Sequence, residues 1–223
     1  MPGLEGIQHL LPASCGQHDL QTFVEGRNTN TYKKKQIIYS ESNHPNRLYY
    51  VVKGKVKTYK TNDDGKAFVT GLFSAGDFLG YTALLEDAVY RDTAEALEET
   101  ELAVIPREDF MELINSNKEA TQKFIGLLAG NVAARENQLI NLAYNSLRRK
   151  VADALLLLQE KYHDKKEENF SISISRESLA AIAGTATESL VRTLSEFRVE
   201  GLIAIKDGYI VILQPEKLRA LVN

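Results

Sequence analysis

The run Ile174-Ser175-Arg176-Glu177-Ser178-Leu179-Ala180-Ala181-Ile182-Ala183-Gly184, continued by Thr185-Ala186-Thr187-Glu188-Ser189-Leu190-Val191-Arg192, constrains this chain more than any other. Ser175 is placed to cap a short helix whose apolar face is Leu179, Ala180, Ile182 and Ala183. Ala180 is small enough for a second helix to approach closely, and Gly184 suits the turn between the two. The second helix is predicted from about Ala186 to Glu200, with Leu190, Leu194 and Phe197 repeating at helical spacing. Its other face displays Thr187, Glu188, Val191 and Arg192. An ordinary helical hairpin would satisfy this much. The next residues separate the alternatives: Gly201 closes the helix, Leu202–Ile205 reads as a strand, Lys206-Asp207-Gly208 as a tight turn and Tyr209–Ile212 as the return strand. A helix-turn-helix followed at once by a β-hairpin is a winged helix, a unit that lays its second helix in the major groove of DNA. There Arg192 suits guanine O6 and N7, and Glu188 can accept from cytosine N4. Lys206 falls near a phosphate at the wing tip, and Arg176 adds a basic group at the start of the first helix.

The N-terminal half has a different rhythm. From about Thr31 to Pro106, short strands alternate with turns every eight to twelve residues, the pattern of an antiparallel barrel or sandwich. The clearest strands are Ile37–Tyr39, Leu48–Val52, Val56–Tyr59 and Phe68–Phe73, with Asn62-Asp63-Asp64-Gly65 and Ala75-Gly76-Asp77 as turns. Phe78-Leu79-Gly80 leads into a short helical patch, Thr82–Leu85, whose free backbone N–H groups are either an anion site or an ordinary helix start. Asp109 is predicted to cap a helix containing Phe110, Leu113 and Ile114. A long helix is then predicted from about Lys118 to Tyr144. Its apolar residues Phe124, Ile125, Leu127, Leu128, Val132, Leu139 and Leu142 cover more than one face, one stripe for the barrel and another for a partner helix. A further helix runs from Leu147 to Tyr162, and His163–Asn169 reads as a solvated loop. The division is a lead-in at 1–22, a sensor domain at 23–116, a dimerisation helix at 117–145 and a winged domain at 146–223.

Composition fits this plan. With 223 residues, 43% of them apolar, the chain can bury two cores. The net charge of −3 divides into −4 for residues 1–145 and +1 from Ser146 onward, with basic residues at Arg148-Arg149-Lys150, Arg176, Arg192, Arg198 and Lys206. Cys15 is the only cysteine, which excludes an internal disulfide and a cysteine-rich metal site. No apolar run spans a bilayer and the start lacks a secretory pattern, so a cytoplasmic location is expected. No Ser/His/Asp or Cys/His set, His-rich metal spacing or phosphate loop is present, and an enzyme is not expected.

Barrel, short helix, long helix and winged helix-turn-helix, in that order, resemble the Crp/Fnr family of bacterial transcription regulators. The resemblance runs from about Val24 to the end and is most specific at Leu48–Lys57, Gly76–Gly80, Leu102–Phe110 and Ile174–Leu194. It implies an α+β protein: an antiparallel β-roll of the double-stranded β-helix or jelly-roll type, a long dimerisation helix and a C-terminal winged helix-turn-helix. It further implies a homodimer paired through the 117–145 helix, a two-fold-symmetric double-stranded DNA operator, RNA polymerase as a possible partner, and an effector in the roll that reorients the DNA-binding domains. By the resemblance Glu188 and Arg192 hold base-reading positions, Thr187 a further one, and Asn145-Ser146 the hinge, with Ser146 capping the next helix.

The effector pocket departs from the family pattern. Cyclic-nucleotide-binding relatives carry Gly-Glu-Leu, the Glu gripping the ribose 2′-hydroxyl, then Arg-Ser/Thr-Ala for the phosphate. Here Gly80-Tyr81-Thr82 lacks the carboxylate, and Asp92 adds an anion beside Arg91, which lands on the phosphate position or one residue off it, depending on the anchor. The adenine-reading pair of the long helix is replaced by Arg135-Glu136. Tight cyclic AMP binding is therefore not expected. Tyr81, Arg91 and Arg135 either line a pocket for another anion or pair internally, Arg91 with Asp92 or Glu95 and Arg135 with Glu136 or Glu119. No iron–sulfur cluster is expected from a lone cysteine, nor haem from His9, His18, His44 and His163, which sit in polar contexts. The alternative function is a ligand- or partner-binding module whose winged domain docks a protein.

Overall fold

The computed structural model describes residues 23–163 and 171–222. Two four-stranded antiparallel sheets form the N-terminal roll. One holds β1 (Thr29–Tyr32), β8 (Thr100–Pro106), β3 (Arg47–Lys53) and β6 (Phe78–Leu79), in that spatial order. The other holds β2 (Ile37–Tyr39), β7 (Thr93–Ala96), β4 (Lys55–Thr61) and β5 (Ala67–Ser74). Alternate strand residues turn inward, and Tyr49, Val51, Val56, Leu79, Ala94 and Leu102 fill the space between the sheets. The predicted lead-in at 1–22, with Cys15, His9 and His18, and the loop after His163 lie outside the described residues.

A short helix, α1 (Tyr81–Leu85), follows β6, and α2 (Arg107–Ser116) follows β8. Asp109 does not cap α2. The helix begins two residues earlier, after Pro106, whose fixed backbone suits a helix start, and Asp109 lies in the first turn, paired with Arg27. The long helix α3 spans Lys118–Tyr144, as predicted, with the Asn117 side chain accepting from the Ala120 N–H at 3.0 Å. Its N-terminal part is bolted to the roll by Phe124, whose ring lies 5.3, 5.5 and 5.0 Å from those of Phe78, Tyr81 and Phe110. Past Phe124, Leu127 and Leu128 still pack half-buried against this core, while Ile125, Val132, Leu139, Ile140 and Tyr144 are exposed.

Ser146 caps α4 (Leu147–Tyr162), followed by α5 (Arg176–Ala183), α6 (Thr187–Val199), β9 (Ile203–Lys206), β10 (Tyr209–Ile212) and α7 (Pro215–Val222). Leu155, Leu158, Leu179, Leu190, Leu194, Phe197 and Ile210 form the core of this winged domain. That core also takes in Val69 of β5, so the winged domain packs directly on the second sheet. Strand β4 is consequently buried on both faces. Val56 and Thr58 turn into the roll, while Lys57 meets the winged domain, its Nζ donating to Ser178 Oγ at 3.1 Å and pairing with Glu95 at 3.2 Å. Gln138 of α3 donates to the Val69 carbonyl at 3.1 Å, and Lys161 of α4 pairs with Asp77 at 2.5 Å.

Candidate DNA interface and sensor cavity

The helix-turn-helix forms for local reasons. Ser175 accepts from the Ser178 N–H at 3.1 Å and starts α5, and Gly184 ends it in the left-handed region at φ 63°. A Cβ at Gly184 would stand 2.3 Å from the Leu142 side chain, so the glycine also lets the turn pass under the end of α3. Leu190, Leu194 and Phe197 face the core, which leaves Glu188, Val191 and Arg192 exposed on one side of α6 and Thr187 half-buried beside them. Neither Glu188 nor Arg192 joins an ion pair among the described residues, although they stand four residues apart. Both therefore keep their hydrogen-bonding capacity for an outside partner.

The wing is a two-residue hairpin. Lys206 is the last residue of β9, paired with Tyr209, and not part of the turn itself. The turn is Asp207-Gly208, both with positive φ (51° and 84°), the form whose twist matches that of the strands. Lys206 is exposed at this tip. Arg176 donates to the Gly208 carbonyl at 3.3 Å and ties the wing to the start of α5. The basic run at Arg148-Arg149-Lys150 does not form a free patch. Arg148 bridges Glu196 and Glu200 over the Phe197 ring, Arg149 donates to the Val222 carbonyl, and Lys150 donates to the Leu142 carbonyl at 2.7 Å. Its charge holds α4 to its neighbours.

A cavity of about 690 Å³ lies where the roll, α3 and the winged domain meet. Gly80, Tyr81, Thr82, Arg91, Asp92 and Arg135 all line it, and the exposed Glu136 does not. Gly80, at φ 86°, precedes a helix of only five residues. Arg91 is exposed and pairs with Glu86 at 2.9 Å, rather than with Asp92 or Glu95. Asp92 turns into the roll, where it accepts from Thr70 Oγ1 at 2.9 Å and faces the Tyr39 hydroxyl. Burial first, then the Asp92 charge, pushes the Tyr39 pKa well up. Arg135 joins no ion pair among the described residues, with Glu136 and Glu119 both out of range. The Tyr81 hydroxyl accepts from Asn131 Nδ2 at 2.7 Å, and its pKa is raised by burial and partly restored by that bond.

Thr70, Tyr39, Asn131 and Asp153, which also line the cavity, were not foreseen from the sequence. Each belongs to a strand or helix face whose partner is distant along the chain, and period alone does not say which face meets which. His44 is exposed. Among the described residues no group of His, Cys, Asp and Glu is arranged to hold a metal ion, and no helix is long and apolar enough to cross a membrane.

Comparison with known proteins places both halves. Residues 29–117 match the cyclic nucleotide-binding domain and residues 149–221 the Crp-like helix-turn-helix domain. The chain is 23% identical over 219 residues to the fumarate and nitrate reduction regulatory protein of Salmonella typhimurium, covering 96% of this chain and 86% of that protein. It is 28% identical over 181 residues to the cyclic AMP receptor protein of Thermus thermophilus, covering 81% and 82%. Among solved structures, FixK2 from Bradyrhizobium japonicum superposes with a TM-score of 0.79 at 23% identity, covering 88% of this chain and 98% of that one. A transcriptional regulator of the CRP/FNR family from Thermus thermophilus superposes at 0.73 with 26% identity, covering 87% and 98%. With both domain types present in family order, an exposed recognition helix and no enzyme among these relatives, the chain belongs to the Crp/Fnr family of DNA-binding transcription regulators.

Proposed function

We propose that this regulator acts in the cytoplasm as a homodimer that reads a two-fold-symmetric operator, with RNA polymerase as its downstream partner. The observation that carries the reading is an unsatisfied stripe on α3. Ile125, Val132 and Leu139 recur every seven residues and remain 60%, 58% and 66% exposed. Leu128 and Leu142, three residues beyond the first and last of them, are half-buried against the roll core and the Gly184 turn, so the free surface is the seven-residue row itself, the repeat of a coiled-coil stripe. Covering each large aliphatic side chain is worth about 1.5–3 kcal/mol, so pairing two such helices is strongly favoured over leaving them wet. Pairing would place two copies of α6 on one side of the dimer, where half-sites one helical turn apart, about 34 Å, are required.

Effector chemistry in this proposal differs from cyclic AMP recognition. The arginine nearest the family's phosphate position is exposed and neutralised by Glu86, and the group facing inward is the Asp92 carboxylate. An anionic phosphate there would meet like charge in a partly dry site, so tight cyclic AMP binding is not supported. Arg135, at the fourth position of the heptad that starts at Val132, would approach its two-fold mate in the dimer and offer positive charge at the seam end of the cavity.

Fluorescence anisotropy with duplexes selected from a random pool tests the reading, run with and without cyclic AMP and paired with sedimentation velocity. A symmetric consensus bound by a dimer, equally well in both conditions, is expected. Binding that needs cyclic AMP would overturn the pocket argument, and a monomer or an unselected pool would overturn the function.

A further inference from the structure

The exposed face of α6 contains an apolar residue where a groove-reading helix has most use for polar ones. Val191 is 44% exposed, three residues after Glu188 and one before Arg192. The three side chains form a contiguous triangle in the first two turns, the part of a recognition helix that reaches base edges. The neighbouring Ser195 hydroxyl, which would otherwise add to the polarity of this face, is turned back on the helix. It donates to the Val191 carbonyl at 3.0 Å, and Thr193, which donates to the Ser189 carbonyl at 3.1 Å, is buried on the core side. Exposed on this stretch of helix stand one carboxylate, one guanidinium and, between them, an isopropyl group, with the half-buried Thr187 beside them.

Docking in the major groove would strip water from all three. For Glu188 and Arg192 the loss is offset by a cytosine N4 donor and guanine O6 and N7 acceptors. Val191 can offset nothing polar, and any base-edge donor or acceptor it covered would be left without a partner, at a cost of roughly tenfold or more in affinity. The major groove offers one apolar group, the C5-methyl of thymine. We propose that Val191 is a specificity-determining residue that reads a thymine methyl next to the G·C pair contacted by Glu188 and Arg192. With about 1.5 Å of helix rise per residue against about 3.4 Å per base step, the span from Glu188 to Arg192 covers about two steps, so the thymine lies within two base pairs of that G·C pair. The inference rests on the DNA-reading function proposed above and adds to it one base in each half-site.

Replacing thymine by deoxyuridine removes only the methyl group and leaves every hydrogen-bonding edge in place. The full-length protein would be titrated against its selected operator and a set of duplexes carrying single thymine-to-uracil changes in both half-sites. Losing one buried methyl contact is expected to weaken binding about fourfold per half-site, about fifteenfold for a symmetric operator, at one thymine within two steps of the G·C pair. Val191→Ala, exposed and helix-favouring, should fold normally and, with the two outer methyl groups gone, should lose most of the preference for thymine over uracil. Its preference for the G·C pair should be unchanged. If uracil is tolerated at every such position, or if Val191→Ala keeps the full thymine preference, the inference is overturned while DNA reading stands. If no sequence is selected at all, both fall together.

Discussion

The contact between Lys57 and Ser178 gives the sharpest test of how the two domains are held. Lys57 lies on β4 and Ser178 on α5, and the Lys57 side chain is only 11% exposed, with its partner Glu95 at 16%. At 3.2 Å and an effective dielectric near 20, the Lys57–Glu95 attraction is about 5 kcal/mol before desolvation, and desolvating both ions removes most of it. Net stabilisation by the pair is therefore small, but deleting one member is costly, because the other stays buried without its counter-charge. Lys57→Met keeps the stem and removes the ammonium, and it is expected to destabilise the protein by about 3 kcal/mol. Ser178→Ala removes one hydrogen bond to a charged donor that keeps its carboxylate, and about 1–1.5 kcal/mol is expected.

The double variant separates a shared contact from two independent defects. If the ammonium and hydroxyl bind each other across the domain boundary, the losses will fall short of additivity by about 1 kcal/mol. Urea unfolding of the four proteins provides the measurement, with each midpoint converted through its own slope. The core that runs from Val69 into Leu155, Leu179 and Leu194 leads us to expect one cooperative transition for the sheet and the winged domain. Additivity to within about 0.3 kcal/mol would refute the reasoning: the winged domain would then not rest on β4 through this contact in solution.

Other outcomes follow from the same geometry. Asp153 is pushed up from its ordinary 3.8, mainly by burial, with Asn141 and Arg149 opposing. Its charged form therefore costs stability once pH exceeds the unfolded value, and the cost vanishes when both states are protonated. Asp153→Asn should raise the melting temperature at pH 7 and change nothing near pH 2.5, and a lower melting temperature at pH 7 would refute this. Burial, with Tyr32 nearby, pushes the Tyr49 pKa up to about 12. Its contribution is complete below pH 10 and is lost as pH rises towards about 12, so phenolate absorbance from Tyr49 should emerge only above the range of exposed tyrosines. Arg192→Ala should cost about 1–3 kcal/mol per half-site on the selected operator and almost nothing on random DNA, whereas Lys206→Ala should weaken both alike and reduce the salt slope by about 1 per wing. Leu139→Glu sets two carboxylates against each other in the proposed seam. Sedimentation velocity should then show monomer at concentrations where the parent is dimeric, and an unchanged dimer would place the interface elsewhere.

The polar lining of the cavity shows why the recognition helix and the roll differ in kind. On α6 the functional groups are consecutive in one helix, and the core residues Leu190, Leu194 and Phe197 determine by subtraction which side chains face out. In the cavity the groups come from five separate parts of the chain: Asp92 from the turn before β7, Thr70 from β5, Tyr81 from α1, Arg135 and Asn131 from α3, and Asp153 from α4. A one-residue choice of register at Arg91-Asp92 decides whether a cation or an anion faces inward, and the structure turns Asp92 in and Arg91 out towards Glu86.

That contrast also accounts for what was legible in the sequence. The long helix, the next helix and the hairpin were predictable almost to the residue because each depends on local signals: the period of apolar residues, the Ser146 cap and the turn at Asp207-Gly208. The start of α2 was misplaced because Asp109 and Pro106 both carry start signals, and the rigid proline prevailed. Arg148-Arg149-Lys150 looked like a basic face because neighbours in sequence were treated as neighbours in space. On a helix, successive residues point about 100° apart, so three adjacent cations reach three different places: Glu196 and Glu200, the Val222 carbonyl, and the Leu142 carbonyl. Lys57 was hidden for the complementary reason. In a strand with one wet face a lysine between valine and threonine belongs outside, and only the arrival of α5, more than a hundred residues later in the chain, makes that outside an interior. Local chemistry thus fixes each element, while burial on a second face is decided by whichever element docks there, and that docking is what connects the roll to the recognition helix.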